Sequence, residues 1–213
     1  MKKGRPSPNG RRTPTTSSRK AKSAPRPKKR KTKSTSPARP RARIAYIALG
    51  SNRGNRRARL QRALFELSLR APVLAVSSFY GTEPVGYAAQ PRFWNAVAAV
   101  AWGGTAAALL RELQRIEKAV GRTPSFRNGP REIDLDLLDL GGALRARPDP
   151  VLPHPRMESR RFVLAPLAEI APGWKHPRSG RTARQLLRAL PECPRATRLS
   201  SRPRGFAARP PGS

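Results

Sequence analysis

Apolar positions in this chain follow two rhythms, and each change of rhythm falls on recognisable punctuation. At residues 43–52, RIAYIALGSN, an unbroken apolar run closes on Gly50, Ser51 and Asn52, which predicts a buried strand entering a tight turn. RRARLQRALFELSLR (56–70) then places Leu60, Ala63, Leu64 and Leu67 at helical spacing. PVLAVSSFYGTEPVG (72–86) predicts a strand through Tyr80 followed by a loop rich in Gly and Pro. FWNAVAAVAW (93–102) predicts another strand, although its alanines are poor strand formers. TAAALLRELQRIEKAVG (105–121) carries the strongest helical period, with Thr105 as N-cap and Gly121 as terminator. EIDLDLLDLGG (132–142) alternates like a strand and stops at paired glycines.

Beyond residue 150 the pattern becomes turn, short helix and loop, with a last amphipathic helix at TARQLLRAL (182–190). From about Pro191 the chain returns to Pro, Arg and Ser and is expected to be a frayed, disordered tail, residues 191–213. The first six elements run β-α-β-β-α-β. That order predicts an α+β, ferredoxin-like sandwich over residues 44–190: a mainly antiparallel sheet, both helices on one face, and a C-terminal extension.

Composition changes the picture at the N-terminus. Residues 1–43 carry 17 of the 45 Lys and Arg and none of the 12 acids, leaving 28 basic against 12 acidic residues in the rest. This segment has too little apolar surface to offset its ordering entropy and predicts a disordered polybasic tail. A nonspecific nucleic-acid or other polyanion contact would need only its charge. Organellar import is the minor alternative, with the prolines counting against an amphipathic transit helix. The single cysteine, Cys193, excludes an internal disulfide and a Cys-based zinc site, so a reducing, cytoplasmic setting is expected. No apolar run approaches the length of a membrane span and no secretory core is present at the N-terminus, so no membrane contact is expected.

Against a formal charge of +33, the run FRNGPREIDLDLLDLGG (126–142) stands out. In a strand Asp134 and Asp136 share one side, while Ile133, Leu135 and Leu137 point to the core. Two adjacent carboxylates raise each other's pKa unless a cation sits between them. Each could pair with an arginine, of which there are many. An i,i+2 pair preceded by Arg127 and Arg131 instead favours a divalent metal, with the arginines as phosphate clamps. Acids for magnesium and arginines for phosphate together point to phosphoryl-type transfer from a nucleotide.

RNGPREIDLDLL (127–138) resembles the signature of the 6-hydroxymethyl-7,8-dihydropterin pyrophosphokinase family. YIALGSN (46–52), SSFYGTEPVG (77–86), FWNAV (93–97), QRIEKAVGR (114–122) and LPHPRMESRRFVLAPLAEIAP (152–172) resemble that family's other blocks, in its order. The resemblance implies transfer of pyrophosphate from ATP to the hydroxymethyl oxygen of the reduced pterin, and a monomer is expected. Asp134 and Asp136 match the pair holding two Mg²⁺ ions, and Arg122 and Arg131 match catalytic arginines. Gln114, Glu117, Arg127, Arg131, His154 and Arg160 match ATP contacts. Phe93 and Phe162 match the aromatics that stack on the pterin, Asn95 the side chain that reads its edge, and Thr82, Pro84 and Val85 the loop lining the same slot. For the base, the resemblance leaves Asp134 and metal-assisted deprotonation both open.

Two positions depart from the family pattern. Pro124 stands where a second loop arginine is common, with Arg92 or Arg156 as replacements on charge alone, and Asn128 stands where a tryptophan is common. Loops 81–92 and 121–131 are expected to close over the substrates. The rival reading is an RNA-recognition module of the same fold class. It leaves Asp134 and Asp136 unexplained, since acids on a base-stacking sheet would repel phosphate.

Overall fold

A computed structural model describes residues 41–126, 128–147 and 149–207. Strand β1 (Arg43–Ser51) sends Ala45, Ile47 and Leu49 to one face and Tyr46 and Ala48 to the other. Helix α1 (Arg56–Ser68) is capped by Asn55, whose side chain accepts the Ala58 N–H at 3.0 Å, and buries Leu60, Ala63, Leu64 and Leu67. Helix α2 (Ala106–Val120) is capped by Thr105 and ends at Gly121, whose left-handed φ of 98° suits glycine. Both helices therefore follow the apolar spacing and start at their cap residues, and α2 also stops at one.

The segment expected to be one strand through Tyr80 is two, β2 (Val73–Val76) and β3 (Tyr80–Thr82). The interruption has a local cause. The Ser77 hydroxyl takes the Val97 N–H at 3.0 Å, and the N–H and hydroxyl of Ser78 both turn to the Glu169 carboxylate. Side chains thus satisfy the Val97 and Ser78 N–H groups that a continuous ladder would have bonded to main-chain carbonyls. Strands β4 (Phe93–Trp102) and β5 (Asp134–Leu140) complete the expected set. Along the sheet the order is β5-β1-β4-β3-β6, with β2 also paired to β4 and every pairing antiparallel.

Helices α1 and α2 pack together on one face, where Leu60, Leu64, Leu109 and Leu113 meet Ile47 and Leu135. The opposite face is covered as well. Helix α3 (Arg161–Ile170) and helix α4 (Ala183–Ala189) set Val163, Leu164, Leu167 and Leu186 against Tyr46, Val97 and Leu138. The C-terminal extension is thereby a third layer, and β4 is buried on both faces. This explains its alanines: small side chains let helices approach a central strand from both sides.

The expectation of a frayed tail from Pro191 is corrected for residues 191–207. Ala196–Arg198 forms strand β6 against β3, Ala207 O accepts the Val76 N–H at 2.8 Å, and Leu199 and Phe206 pack on the α1/α2 core. Glu169 supplies the missing local signal by pairing with both Arg198 and Arg202 at 3.3 Å. The polybasic segment 1–40 and residues 208–213 lie outside the described residues, and Arg43 belongs to β1.

Candidate active site

The acids stand where the alternation of β5 places them. Asp134 and Asp136 are partly exposed on the α3 face, while Ile133, Leu135 and Leu137 are buried. A row of the sheet runs from Asp134 through Gly50 to Asn95, because Gly50 is paired with both. The Asn95 amide donates to the Thr82 hydroxyl at 2.8 Å, which carries the row on to β3. A Cβ on Gly50 would come within 3.2 Å of Asn95 Oδ1, so the floor between the acids and Asn95 is bare backbone.

Above this row lies a cavity of about 450 Å³. Its lining brings together Asp134, Asp136, Arg131 and Arg160 with Thr82, Val85, Phe93, Asn95 and Phe162. Charged groups and an aromatic, hydrogen-bonding slot thus share one space. Pro84 is not part of that lining, although Glu83 and Val85 on either side are. Arg156 lines the cavity too, whereas Arg92 pairs with Glu83 at 3.0 Å. Of the two arginines that could replace the one lost at Pro124, Arg156 is the better placed.

Each acid has cationic neighbours. Asp134 receives Arg131 at 2.7 Å and Arg122 at 3.0 Å. Burial and the charge of Asp136 push the Asp134 carboxyl above its ordinary range, and the two arginines offset only part of this. Asp136 has Arg160 at 3.5 Å and His154 Nε2 at 3.9 Å. His154 is held there by its N–H, which donates to Leu138 O at 2.8 Å. Burial lowers its pKa, and Arg160 and Arg156 add to this against the pull of Asp136, so the imidazole is neutral near pH 7. Burial also lowers the pKa of Arg160.

Arg131 borders a second cavity of about 510 Å³, lined in part by Gln114, Glu117 and Arg122. Glu117 is buried, with its carboxylate accepting the Leu135 N–H at 2.7 Å and bonded to Arg122. Burial would lower the Arg122 pKa, but Asp134 and Glu117 more than offset it and keep the guanidinium firmly charged. Arg127, expected at the nucleotide, lies outside the described residues.

Loops 81–92 and 121–131 touch one another through Tyr87 and Phe126, packed edge to face at 5.3 Å, and through Gln90 Nε2, which donates to Asn128 O at 2.9 Å. Asn128 has φ of 60°, a left-handed conformation that asparagine tolerates better than a bulky aromatic does. Asn52 and Glu132 were not singled out from the sequence as functional. Asn52 fixes the main chain of Arg131, and Glu132 accepts from Arg53 at 2.7 Å and from the Thr123 N–H and hydroxyl at 3.2 Å. The sequence signals for Asn52 are its place after the turn glycine and at the end of the block YIALGSN.

The donor set suits a divalent ion. Two carboxylates open onto the cavity, and a cation between them would relieve the repulsion that raises Asp134. Among the described residues no cluster of three or more His, Cys, Asp or Glu converges. Two protein oxygens with the rest from phosphate and water is the mode of Mg²⁺, not of a metal caged wholly by protein.

Residues 46–172 match the sequence model of a family described as 7,8-dihydro-6-hydroxymethylpterin-pyrophosphokinase. A Pseudomonas aeruginosa protein named 2-amino-4-hydroxy-6-hydroxymethyldihydropteridine pyrophosphokinase is 44% identical over 148 residues, covering 68% of this chain and 91% of the relative. A Bacillus subtilis protein of the same name is 46% identical over 129 residues, covering 60% of this chain and 77% of the relative. In fold, the chain is similar to the crystal structure of Plasmodium falciparum HPPK-DHPS, with a TM-score of 0.53 and 13% identity. That likeness covers 69% of this chain and 44% of the Plasmodium chain, so it concerns less than half of the larger protein.

Proposed function

The chain belongs to the 7,8-dihydro-6-hydroxymethylpterin-pyrophosphokinase family, and on that premise we propose that it transfers pyrophosphate from ATP to the hydroxymethyl oxygen of 6-hydroxymethyl-7,8-dihydropterin, leaving AMP. The observation that carries this reading is the shared cavity, with the carboxylate pair Asp134 and Asp136 in the same space as Phe93, Asn95, Thr82 and Phe162.

In the reaction the hydroxymethyl oxygen forms a bond to the β-phosphorus while the bond from that phosphorus to the oxygen bridging α and β breaks. The electron pair leaves with AMP. Phe93 and Phe162 stack on the ring, Asn95 reads its edge, and Thr82 to Val85 close the slot. Asp134 and Asp136 would hold two Mg²⁺ ions, whose charge when bound offsets that of the triphosphate and lowers the pKa of the attacking hydroxyl. Arg131 and Arg122 now rest on Asp134, and Arg160 on Asp136. As the nucleotide enters, these guanidinium groups turn to its phosphate oxygens, where their planar fork fits best. Arg156 supplements them where Pro124 has removed a loop arginine. The hydroxyl proton passes to Asp134 or, by metal-assisted deprotonation, to water.

Gln114 and the neutral His154 serve as nucleotide contacts. Glu117, being buried, acts by fixing Arg122. Closure of loops 81–92 and 121–131 would exclude water and so suppress ATP hydrolysis. Among the described residues no helix is long and apolar enough to cross a membrane.

The test is AMP release from ATP and Mg²⁺ with and without the pterin, comparing the natural chain with Asp136→Ala. Pterin-dependent AMP that collapses in the variant supports both the reaction and the acid pair. AMP that survives the substitution discards the role given to Asp136, and no AMP from a folded chain discards the reaction.

A further inference from the structure

We propose that the segment Leu190–Pro194, following α4, is a wall of the pterin slot and contributes directly to the enzyme's affinity for that substrate; the inference rests on the reaction assigned above. Leu190, Pro191, Cys193 and Pro194 all line the 450 Å³ cavity that holds Phe93, Asn95 and Phe162. They lie beyond residues 46–172, the part of the chain that the family model matches.

Two attachments hold the wall. At its start, Arg161 Nη1 donates to Leu190 O at 3.1 Å and to Pro191 O at 3.0 Å. Arg161 stands between Arg160 and Phe162, so the same turn of α3 that presents a phosphate-binding arginine and a slot aromatic also grips the wall. At its end the segment runs into β6, where Ala196 is paired with Thr82 and Thr197 with Gly81. The segment is therefore anchored to the strand that supplies Thr82 to the slot.

Sheet order decides which end of the cavity it serves. β5, with the acids, is at one edge of the sheet, and β3 and β6 are at the other. The half of the wall that runs into β6 therefore lies at the ring end, and its start is held by Arg161 beside Phe162. Its chemistry agrees. Pro191 and Pro194 have no N–H to offer, and the carbonyls of Leu190 and Pro191 are already taken by Arg161. The side chains that face a ligand are three apolar ones and one thiol, a surface suited to covering apolar parts of a flat ring while Asn95 reads its polar edge.

Cys193 is the only cysteine in the chain and is exposed, so it reports on this wall without ambiguity. The experiment measures the rate of Cys193 alkylation by iodoacetamide in the full chain, free, with a nonhydrolysable ATP analogue and Mg²⁺, and with the pterin. Pterin binding is followed separately by its own fluorescence. The wall predicts that bound pterin slows alkylation roughly tenfold or more, and that the nucleotide analogue alone slows it much less. It also predicts that Cys193→Trp raises KM for the pterin roughly tenfold, with kcat and the KM for ATP little changed and the melting temperature retained. Pterin that binds with no effect on alkylation, joined to an unaltered pterin KM in Cys193→Trp, overturns the wall and leaves the reaction standing. A natural chain that binds no pterin at all overturns the reaction and the wall with it.

Discussion

Asn52 grips the main chain of Arg131 from both sides: its N–H donates to the Arg131 carbonyl at 3.0 Å, and its Oδ1 accepts the Arg131 N–H at 2.7 Å. Its amide group also donates to Gln90 Oε1 and to Pro91 O. One buried side chain thus ties the end of β1 to both loops, at Gln90 and Pro91 and at Arg131. Asn52→Ala leaves the Arg131 N–H without this partner and is expected to cost about 1–3 kcal/mol in urea unfolding. AMP release should fall roughly tenfold or more, since small misplacements at a reacting centre are expensive. Asn52→Asp keeps the acceptor for Arg131 and should retain more activity than Asn52→Ala.

The acid pair gives a sharper split between activity and stability. Asp136 has a side chain 38% exposed, and its partners are at 3.5 Å and beyond. Asp136→Ala is expected to leave the melting temperature close to that of the natural chain while lowering kcat by about 10²-fold or more. Chelation with EDTA should abolish AMP release and Mg²⁺ should restore it. An EDTA-resistant activity would remove the metal from the account.

Glu117 separates support from contact. Glu117→Gln keeps an oxygen for the Leu135 N–H but no charge for Arg122, whereas Glu117→Ala leaves that N–H buried and unpaired. The alanine variant is expected to lose about 1–3 kcal/mol of stability, the glutamine variant distinctly less. Both should raise KM for ATP, because Arg122 loses its anchor. Thermal unfolding and initial rates at varied ATP read the two effects apart.

At the far edge of the sheet the prediction concerns pH. The Tyr80 hydroxyl donates to Glu169 Oε2 at 3.0 Å, and burial first, then the charge of Glu169, pushes its pKa well above the ordinary tyrosine value. The folded state therefore holds the phenolic proton more tightly than the unfolded chain does. The associated stability is present below the unfolded pKa of about 10 and is lost as pH rises above it. Tyr80→Phe should be less stable at neutral pH and should show a shallower alkaline loss, measured as melting temperature against pH.

Much of this was legible from residue types alone. The period of α1 and α2, the caps Thr105 and Gly121, and the same-side projection of Asp134 and Asp136 all follow from local rules. What escaped notice depended on distant partners. Nothing near Pro191 announces that Glu169 will collect Arg198 and Arg202, so a Pro- and Arg-rich stretch looked frayed. Ser77 and Ser78 likewise end β2 only because Val97 and Glu169 lie opposite them. The helical period sets Glu117 beside Leu113 and Ile116 on the buried face, but nothing local shows that its partner there is the Leu135 N–H at the start of β5.

The bare row from Asp134 across Gly50 to Asn95 also acts as a ruler. Neighbouring strands sit about 4.8 Å apart, so the main chains of the two residues are separated by about 10 Å, a length set by the pairing of the strands. On the reaction proposed above, a flat ring held at Asn95 is expected to direct its one-carbon arm toward Asp134. Molecules that share the ring but carry a longer arm would fit the slot and still present their oxygen past the point where the phosphates are held.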